Sequence, residues 1–223
     1  MKSSHKEFLI HFGWNDFFEN QLAEFYKINP GLSPEKMRVA RVINEEKNLY
    51  RLQLSIEEIL WSSVTGKIQF SALSRGDFPA IGDWVLAEVP DQSERAIIRH
   101  VLKRKTALVR RQAGEVSDVQ ILSTNVDTVF ITTSLNGDLN LGRLERYLTF
   151  VWDSGATPVI LLTKSDLCKT DIQEVIQDLN SRFSGVEVYS LTKDNFEEAH
   201  FLKRYLASGT TSVLVGSSGV GKS

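Results

Sequence analysis

The eight residues Gly216-Ser217-Ser218-Gly219-Val220-Gly221-Lys222-Ser223 limit this chain more than any other stretch. They satisfy G-x-x-x-x-G-K-[ST] at every required position and directly follow the apolar run TSVLV. A strand leading into such a loop lets backbone N–H groups turn inward around phosphate oxygens. Glycines at 216, 219 and 221 permit that turn, Lys222 is placed to neutralise β- and γ-phosphate charge, and the Ser223 hydroxyl to ligate Mg²⁺. Average residue frequencies produce the pattern by chance in a chain of this length on the order of once in a hundred cases, so we read a nucleotide site rather than a bare turn.

The residues before the loop fit the sheet it needs. Apolar runs at Val126 to Thr133, Thr157 to Leu162, Val186 to Ser190 and Thr211 to Val215 alternate with helical patterns at Leu141 to Trp152, Asp171 to Phe183 and Phe196 to Leu206. Thr170 with Gln173, and Asn195 with Glu198, resemble capping boxes. Strand and helix repeated in this way specify a parallel sheet with right-handed crossovers.

A phosphate loop does not choose a base, and Thr163-Lys164-Ser165-Asp166 stands where it can. The segment follows the run PVILL, so its side chains emerge at the carboxyl end of the sheet, where open α/β folds bind ligands. The Asp166 carboxylate can accept from guanine N1–H and the 2-amino group; adenine offers neither donor. Lys164 can lay its methylene stem along the base. Ser190 and Leu191, with Thr192, end the run VEVYS and would bring backbone N–H groups near the guanine O6. The candidate nucleotide contacts are therefore Thr163, Lys164, Ser165, Asp166, Ser190, Leu191 and the whole of Gly216 to Ser223, including Ser217, Ser218 and Val220.

The first half reads differently. At 223 residues, with 42% hydrophobic and 24% charged, the chain suits two compact domains, and four Trp with twelve Phe can fill two cores without staples. An amphipathic segment from Asn15 to Tyr26, capped by Asn15, precedes the breaker NPGLSP. Five strands are then expected at Met37 to Ile43, Asn48 to Leu54, Lys67 to Leu73, Asp83 to Val89 and Ala96 to Leu102. A small antiparallel barrel of the OB type is the economical fold, with an SH3-like barrel as the alternative of equal strand count. The resulting division is a helical extension over 1–35, an OB barrel over 36–110 and an α/β domain over 111–223.

The single Cys168 excludes an internal disulfide and fits a reducing compartment. No run of about 18 apolar residues exists, and the start lacks a secretory h-region, so neither membrane span nor export is expected. His5, His11 and His200 carry no metal spacing. Although the net charge is −2, the stretch from Arg99 to Arg111 holds His100 and six Lys or Arg and no acid, a local footprint for phosphate. Lys103, Arg104, Lys105, Arg110 and Arg111 are the candidate RNA contacts, and Trp61, Phe70, Phe78 and Trp84 the rings that could stack on bases.

In the common GTPase arrangement the phosphate loop comes first; here Asp166 precedes Gly216 by 50 residues. Circular permutation accounts for this order, because a parallel sheet can be reopened at a surface loop without changing what surrounds the ligand. With that order the chain resembles the small ribosomal subunit biogenesis GTPases, a ribosome-dependent family with an N-terminal OB barrel. The resemblance runs from Met37 through Ile81-Gly82-Asp83-Trp84-Val85, Leu108-Val109-Arg110, Asn125-Val126-Asp127, TKSD and GSSGVGKS. It implies a cytoplasmic, monomeric GTP hydrolase that uses GTP or GDP with Mg²⁺, binds the 30S subunit and its 16S rRNA late in maturation, and leaves after hydrolysis. The family's D-x-x-G motif, catalytic His and zinc-binding domain have no match in these residues. The catalytic residue and zinc ligands are thus expected beyond Ser223, and hydrolysis is not expected of these residues alone. The rival readings are a P-loop ATPase or kinase, and an RNA-binding module with a degenerate nucleotide site.

Overall fold

The computed structural model describes residues 3–32, 34–90, 93–111, 119–192 and 196–222. The chain divides into two compact units, Met1–Asn125 and Val126–Ser223.

The first unit opens with helices α1 (Ser3–His11) and α2 (Asp16–Ile28). As the sequence suggested, Asn15 caps α2, its side chain accepting from the Phe17 N–H at 3.0 Å. Helix α1 has no sequence signature: its apolar residues Phe8-Leu9-Ile10 are consecutive rather than spaced, so no helical period marks it. Strands β1 (Met37–Glu46), β2 (Leu49–Gln53), β3 (Ile59–Val64), β4 (Trp84–Glu88) and β5 (Arg95–Val101) close a barrel in the order β1-β2-β3-β5-β4. This order, with β3 and β5 parallel and the other pairs antiparallel, is the OB topology. Closure depends on β1, which pairs with β4 over Met37 to Arg41 and with β2 over Arg41 to Glu46, bending at a register shift between Val42 and Asn44.

The third strand is not where it was expected. Lys67 to Leu73 belongs instead to a short helix α3 (Gly66–Ser71) and the turn after it, and Thr65 caps that helix by accepting from the Ile68 N–H. The strand ILWSSV is hidden in the sequence because Ser62 occupies a core position. It is 1% exposed and satisfies its hydroxyl by donating to the Tyr50 carbonyl at 3.0 Å, so the hydrophobic alternation breaks on paper while the burial alternation survives.

Strand β4 shows how the unit is layered. Val85 and Ala87 point into the barrel with Ala40, Val42, Leu52 and Ile98, whereas Trp84 and Leu86 point out and are covered by Phe8, Leu9, Trp14, Phe18 and Leu22 of the helical pair. Both faces are therefore buried, which is why WVLAE reads as a nearly continuous apolar run. Trp14 meets Trp84 edge-on at 5.1 Å, and the Arg41 guanidinium lies 5.4 Å from the Trp84 ring. Burial pushes the Tyr50 hydroxyl up to about 12 and lowers the pKa of His100, which stacks on Phe25 at 4.7 Å. The ribbon β6 (Ala107–Arg111) and β7 (Val119–Thr124) completes this unit.

The second unit is a four-stranded parallel sheet of β8 (Thr128–Ser134), β9 (Thr157–Thr163), β10 (Glu187–Leu191) and β11 (Ser212–Gly216), in the order β10-β9-β8-β11. Helices α4 (Leu141–Ser154) and α5 (Ile172–Arg182) connect its early strands. All seven residues of β8 are buried, as a central strand requires. Two expectations need correction. The cap of α5 is Asp171, accepting from the Gln173 N–H at 2.9 Å, not Thr170, because the helix starts one residue later. The stretch expected as a helix from Phe196 to Leu206 is a 3₁₀ run, Phe196–Arg204. Nine 3₁₀ residues reach about 18 Å against about 13.5 Å for an α-helix, which suits a connection crossing from the β10 edge to the β11 edge. The capping pair proposed at Asn195 lies outside the described residues.

Candidate nucleotide-binding site

Strands β9 and β11 flank β8 and run parallel to it, so their carboxyl ends open on the same edge of the sheet. There the TKSD segment and the glycine-rich loop, far apart in sequence, touch. The Thr163 hydroxyl donates to the Val220 carbonyl at 2.5 Å, and the Lys164 ammonium donates to the Gly219 carbonyl at 2.8 Å. Val220 is 1% exposed, so its side chain anchors the middle of the loop while its neighbours stay accessible.

Gly216 begins the loop at φ 153°, in register with Thr132 of β8; a Cβ there would lie 2.2 Å from the Thr132 carbonyl oxygen. Only glycine lets the chain leave the sheet at this point. Gly219 and Gly221 follow at φ 78° and 94°. Lys222 folds back over the loop, its ammonium donating to the carbonyls of Gly216 at 3.0 Å and Ser217 at 2.6 Å. A cation held over a ring of backbone fits a polyphosphate, whose oxygens would compete for the same ammonium. Ser223, the expected Mg²⁺ ligand, lies outside the described residues. Among those residues no group of three or more His, Cys, Asp or Glu is placed to hold a metal ion.

The base-selecting end is built by a turn after β9. Lys164 adopts a left-handed conformation, φ 55° and ψ 43°, and the 3₁₀ turn Ser165–Leu167 follows. That turn leaves Asp166 exposed, with no hydrogen-bond or ion-pair partner among the described residues. A free carboxylate on a rigid turn can accept two N–H donors from one edge of a purine. Ser165 is fixed by a hydroxyl–hydroxyl bond of 2.5 Å to Thr192, just beyond β10. Ser190 and Leu191 pair in register with Leu162 and Thr163, which brings the end of β10 alongside TKSD. Thr163, Lys164, Ser165, Ser190, Leu191 and residues 216–222 therefore gather at one sheet edge. Asp127, from the quoted NVD stretch, accepts from the Thr211 N–H at 2.9 Å and ties the start of β8 to that of β11.

The basic stretch of the first unit does not act as one face. Arg104 is committed internally: its guanidinium donates to both Asp83 oxygens, at 2.8 and 2.7 Å, and to the carbonyls of Gly76 and Phe78. Arg99 pairs with Glu88. Lys103 is exposed beside α2, its backbone bonded to Gln21, and Arg110 is exposed on β6. Lys105 donates its backbone N–H to Asn125, and the side chain of Arg111 lies outside the described residues. Of the candidate rings, Trp84 is buried, Phe78 half-buried, and Trp61 and Phe70 exposed.

Comparison with known proteins gives a consistent picture. Residues 101–223 match the family model described as RsgA GTPase. A protein of Oceanobacillus iheyensis named small ribosomal subunit biogenesis GTPase RsgA 1 is 41% identical over 185 residues, covering 83% of this chain and 52% of that protein. One of Listeria monocytogenes, bearing the same family name, is 40% identical over 215 residues, covering 96% and 56%. The chain spans about half the length of the curated relatives it matches. Two crystal structures share the fold. YjeQ from Thermotoga maritima has a TM-score of 0.65 at 24% identity, covering 84% of this chain and 63% of its own. YloQ, described as a circularly permuted GTPase, has a TM-score of 0.63 at 21% identity, covering 83% and 62%.

Proposed function

The chain belongs to the RsgA GTPase family, and from that premise we propose that it binds guanine nucleotide at the edge formed by TKSD and the glycine-rich loop. The protein built on it is then a GTP hydrolase acting in maturation of the small ribosomal subunit. The observation that carries the nucleotide reading is the pair of hydrogen bonds from Thr163 and Lys164 to the carbonyls of Val220 and Gly219. They fix the base-selecting turn against the phosphate loop despite the reversed order of the two motifs.

In this reading Asp166 accepts from guanine N1–H and N2–H, and the Lys164 stem lies along the base. Ser190 and Leu191 face O6 with their backbone, Lys222 turns from its loop carbonyls to the phosphates, and Ser223 holds Mg²⁺. The barrel of residues 36–110 and the ribbon that completes its unit serve RNA, residues 126–223 serve nucleotide, and residues 1–35 extend the barrel. The partner is the 30S subunit through its 16S rRNA, met as a monomer in the cytoplasm; no helix among the described residues is long and apolar enough to cross a membrane. Lys103, Lys105, Arg110 and Arg111 are the cations offered to RNA phosphate, while Arg104 is withdrawn to a supporting role by its bond to Asp83.

Calorimetric titration of GDP and of ADP into the chain tests the base preference. GDP is expected to bind at least about tenfold tighter, the worth of one discriminating hydrogen bond of about 1.4 kcal/mol. Equal affinities would favour the ATPase or kinase reading, and absence of binding by either nucleotide the RNA module.

A further inference from the structure

The base-selecting turn is held from two sides. Toward the glycine-rich loop, Thr163 and Lys164 donate to the carbonyls of Val220 and Gly219. Toward β10, the parallel ladder of β9 and β10 runs in register from Val159 and Glu187 to Thr163 and Leu191 and ends there. It ends because Lys164 takes a left-handed φ of 55°, which swings the chain out of the sheet. Just past the last rung the two segments are joined again, now by side chains: the Ser165 and Thr192 hydroxyl oxygens lie 2.5 Å apart.

Asp166 stands between these anchors. Its turn is closed locally, the Leu167 N–H donating to the Lys164 carbonyl at 3.0 Å and the Cys168 N–H to the Ser165 carbonyl at 3.1 Å. Those bonds set the shape of the turn but not its place relative to β10. Lys164 reaches the loop through a four-carbon stem, which is a compliant tether. Ser165 and Thr192 carry their hydroxyls directly on Cβ, so their bond is a short link between two backbones. Both residues are half-buried, where water competes less for such a bond.

We propose that the Ser165–Thr192 bond is a clasp that sets the spacing between the two elements that read guanine, the Asp166 carboxylate and the backbone at the end of β10. Ser165 and Thr192 are then positioning residues for base recognition. This rests on the guanine reading proposed above and names what aligns its parts. Guanine carries its N1–H and amino donors and its O6 acceptor on one rigid ring, so carboxylate and backbone N–H groups must stand at a fixed separation to engage all three. The clasp forms without nucleotide, so the spacing is set in advance and its ordering cost is removed from binding. Neither hydroxyl has to touch the base.

The test is calorimetric titration of GDP into the parent chain, Ser165→Ala, Thr192→Ala, the double variant and Thr192→Ser. Each single alanine variant is expected to weaken GDP binding by about 3- to 10-fold, the worth of one neutral hydrogen bond. The double variant should bind no more weakly than the weaker single, because both substitutions remove the same bond. Thr192→Ser keeps the hydroxyl and should bind as the parent does. Circular dichroism melting without nucleotide identifies a variant that fails to fold; should Thr192→Ala be one, Ser165→Ala and Thr192→Ser decide the matter. Parental affinity in Ser165→Ala, losses that add in the double variant, or no rescue by Thr192→Ser would each overturn the clasp and leave the guanine reading standing. A parent that binds no GDP overturns both.

Discussion

Gly216→Ala is expected to lower GDP affinity by about 100-fold or more, while the first unit melts as before. The added Cβ would sit 2.2 Å from the Thr132 carbonyl oxygen, and the φ of 153° is one that side-chain-bearing residues rarely adopt. Both obstacles are backbone, so no side chain can swing away to relieve them. The end of β11 must part from β8 one residue early, and the loop carbonyls that receive Thr163, Lys164 and Lys222 move with it. A 100-fold loss corresponds to about 2.7 kcal/mol, within the cost of an overlapped, left-handed residue. Gly219→Ala is the internal control. Its φ is also positive, at 78°, but nothing lies within 4 Å of the added atom, so it meets only about 1–2 kcal/mol of conformational cost. Calorimetry on the two variants should rank them in that order; equal losses would mean that the close approach at Gly216 is irrelevant.

The second large effect concerns stability. Asp83→Ala is expected to destabilise the barrel unit by about 3–5 kcal/mol, read from urea unfolding by far-ultraviolet circular dichroism. Asp83 is fully buried and holds three donors, the Ala80 N–H at 2.8 Å and two from the Arg104 fork. Removing it strands the guanidinium of a side chain that is only 19% exposed, and releases the Gly76 and Phe78 carbonyls that the fork also clamps. Arg104→Lys should be damaging too, since an ammonium cannot reproduce the two-pronged geometry. A loss below about 1 kcal/mol for Asp83→Ala would show that the pair is dispensable.

How much could be read beforehand depended on whether the signal was local. The central strands β8 and β9 are legible as apolar runs buried on both faces, the edge strands β10 and β11 as short runs rich in β-branched residues that are only partly buried, and TKSD and the glycine-rich loop announce themselves by spacing. What they could not announce is contact: the Thr163–Val220 bond spans 57 positions and exists only because β8 lies between β9 and β11. In the barrel, the third strand was hidden by one inward-facing polar residue, Ser62. The basic stretch misled in the opposite sense. Arg104 looks like its neighbours in sequence, yet its partner Asp83 is 21 residues away and buried, so its charge is used up inside the fold. Trp61 and Trp84 are likewise equal on paper, and only the register of the barrel turns one outward and the other against the helical pair.

Asp166 is the residue that would choose guanine within the permuted site, and the direct measurement is calorimetric titration of GDP and XDP into the parent chain and the Asp166→Asn variant. Asp166 stands exposed and unpartnered among the described residues on the turn that Lys164 holds against the loop, so its carboxylate is free to read the purine edge. Guanine presents two donors there; xanthine replaces the amino group with a carbonyl, which an amide can satisfy and a carboxylate repels. The parent should bind GDP and reject XDP, and Asp166→Asn should reverse the order, each preference being about 10- to 100-fold. GDP bound equally by both proteins, with XDP rejected by both, would contradict guanine recognition by Asp166.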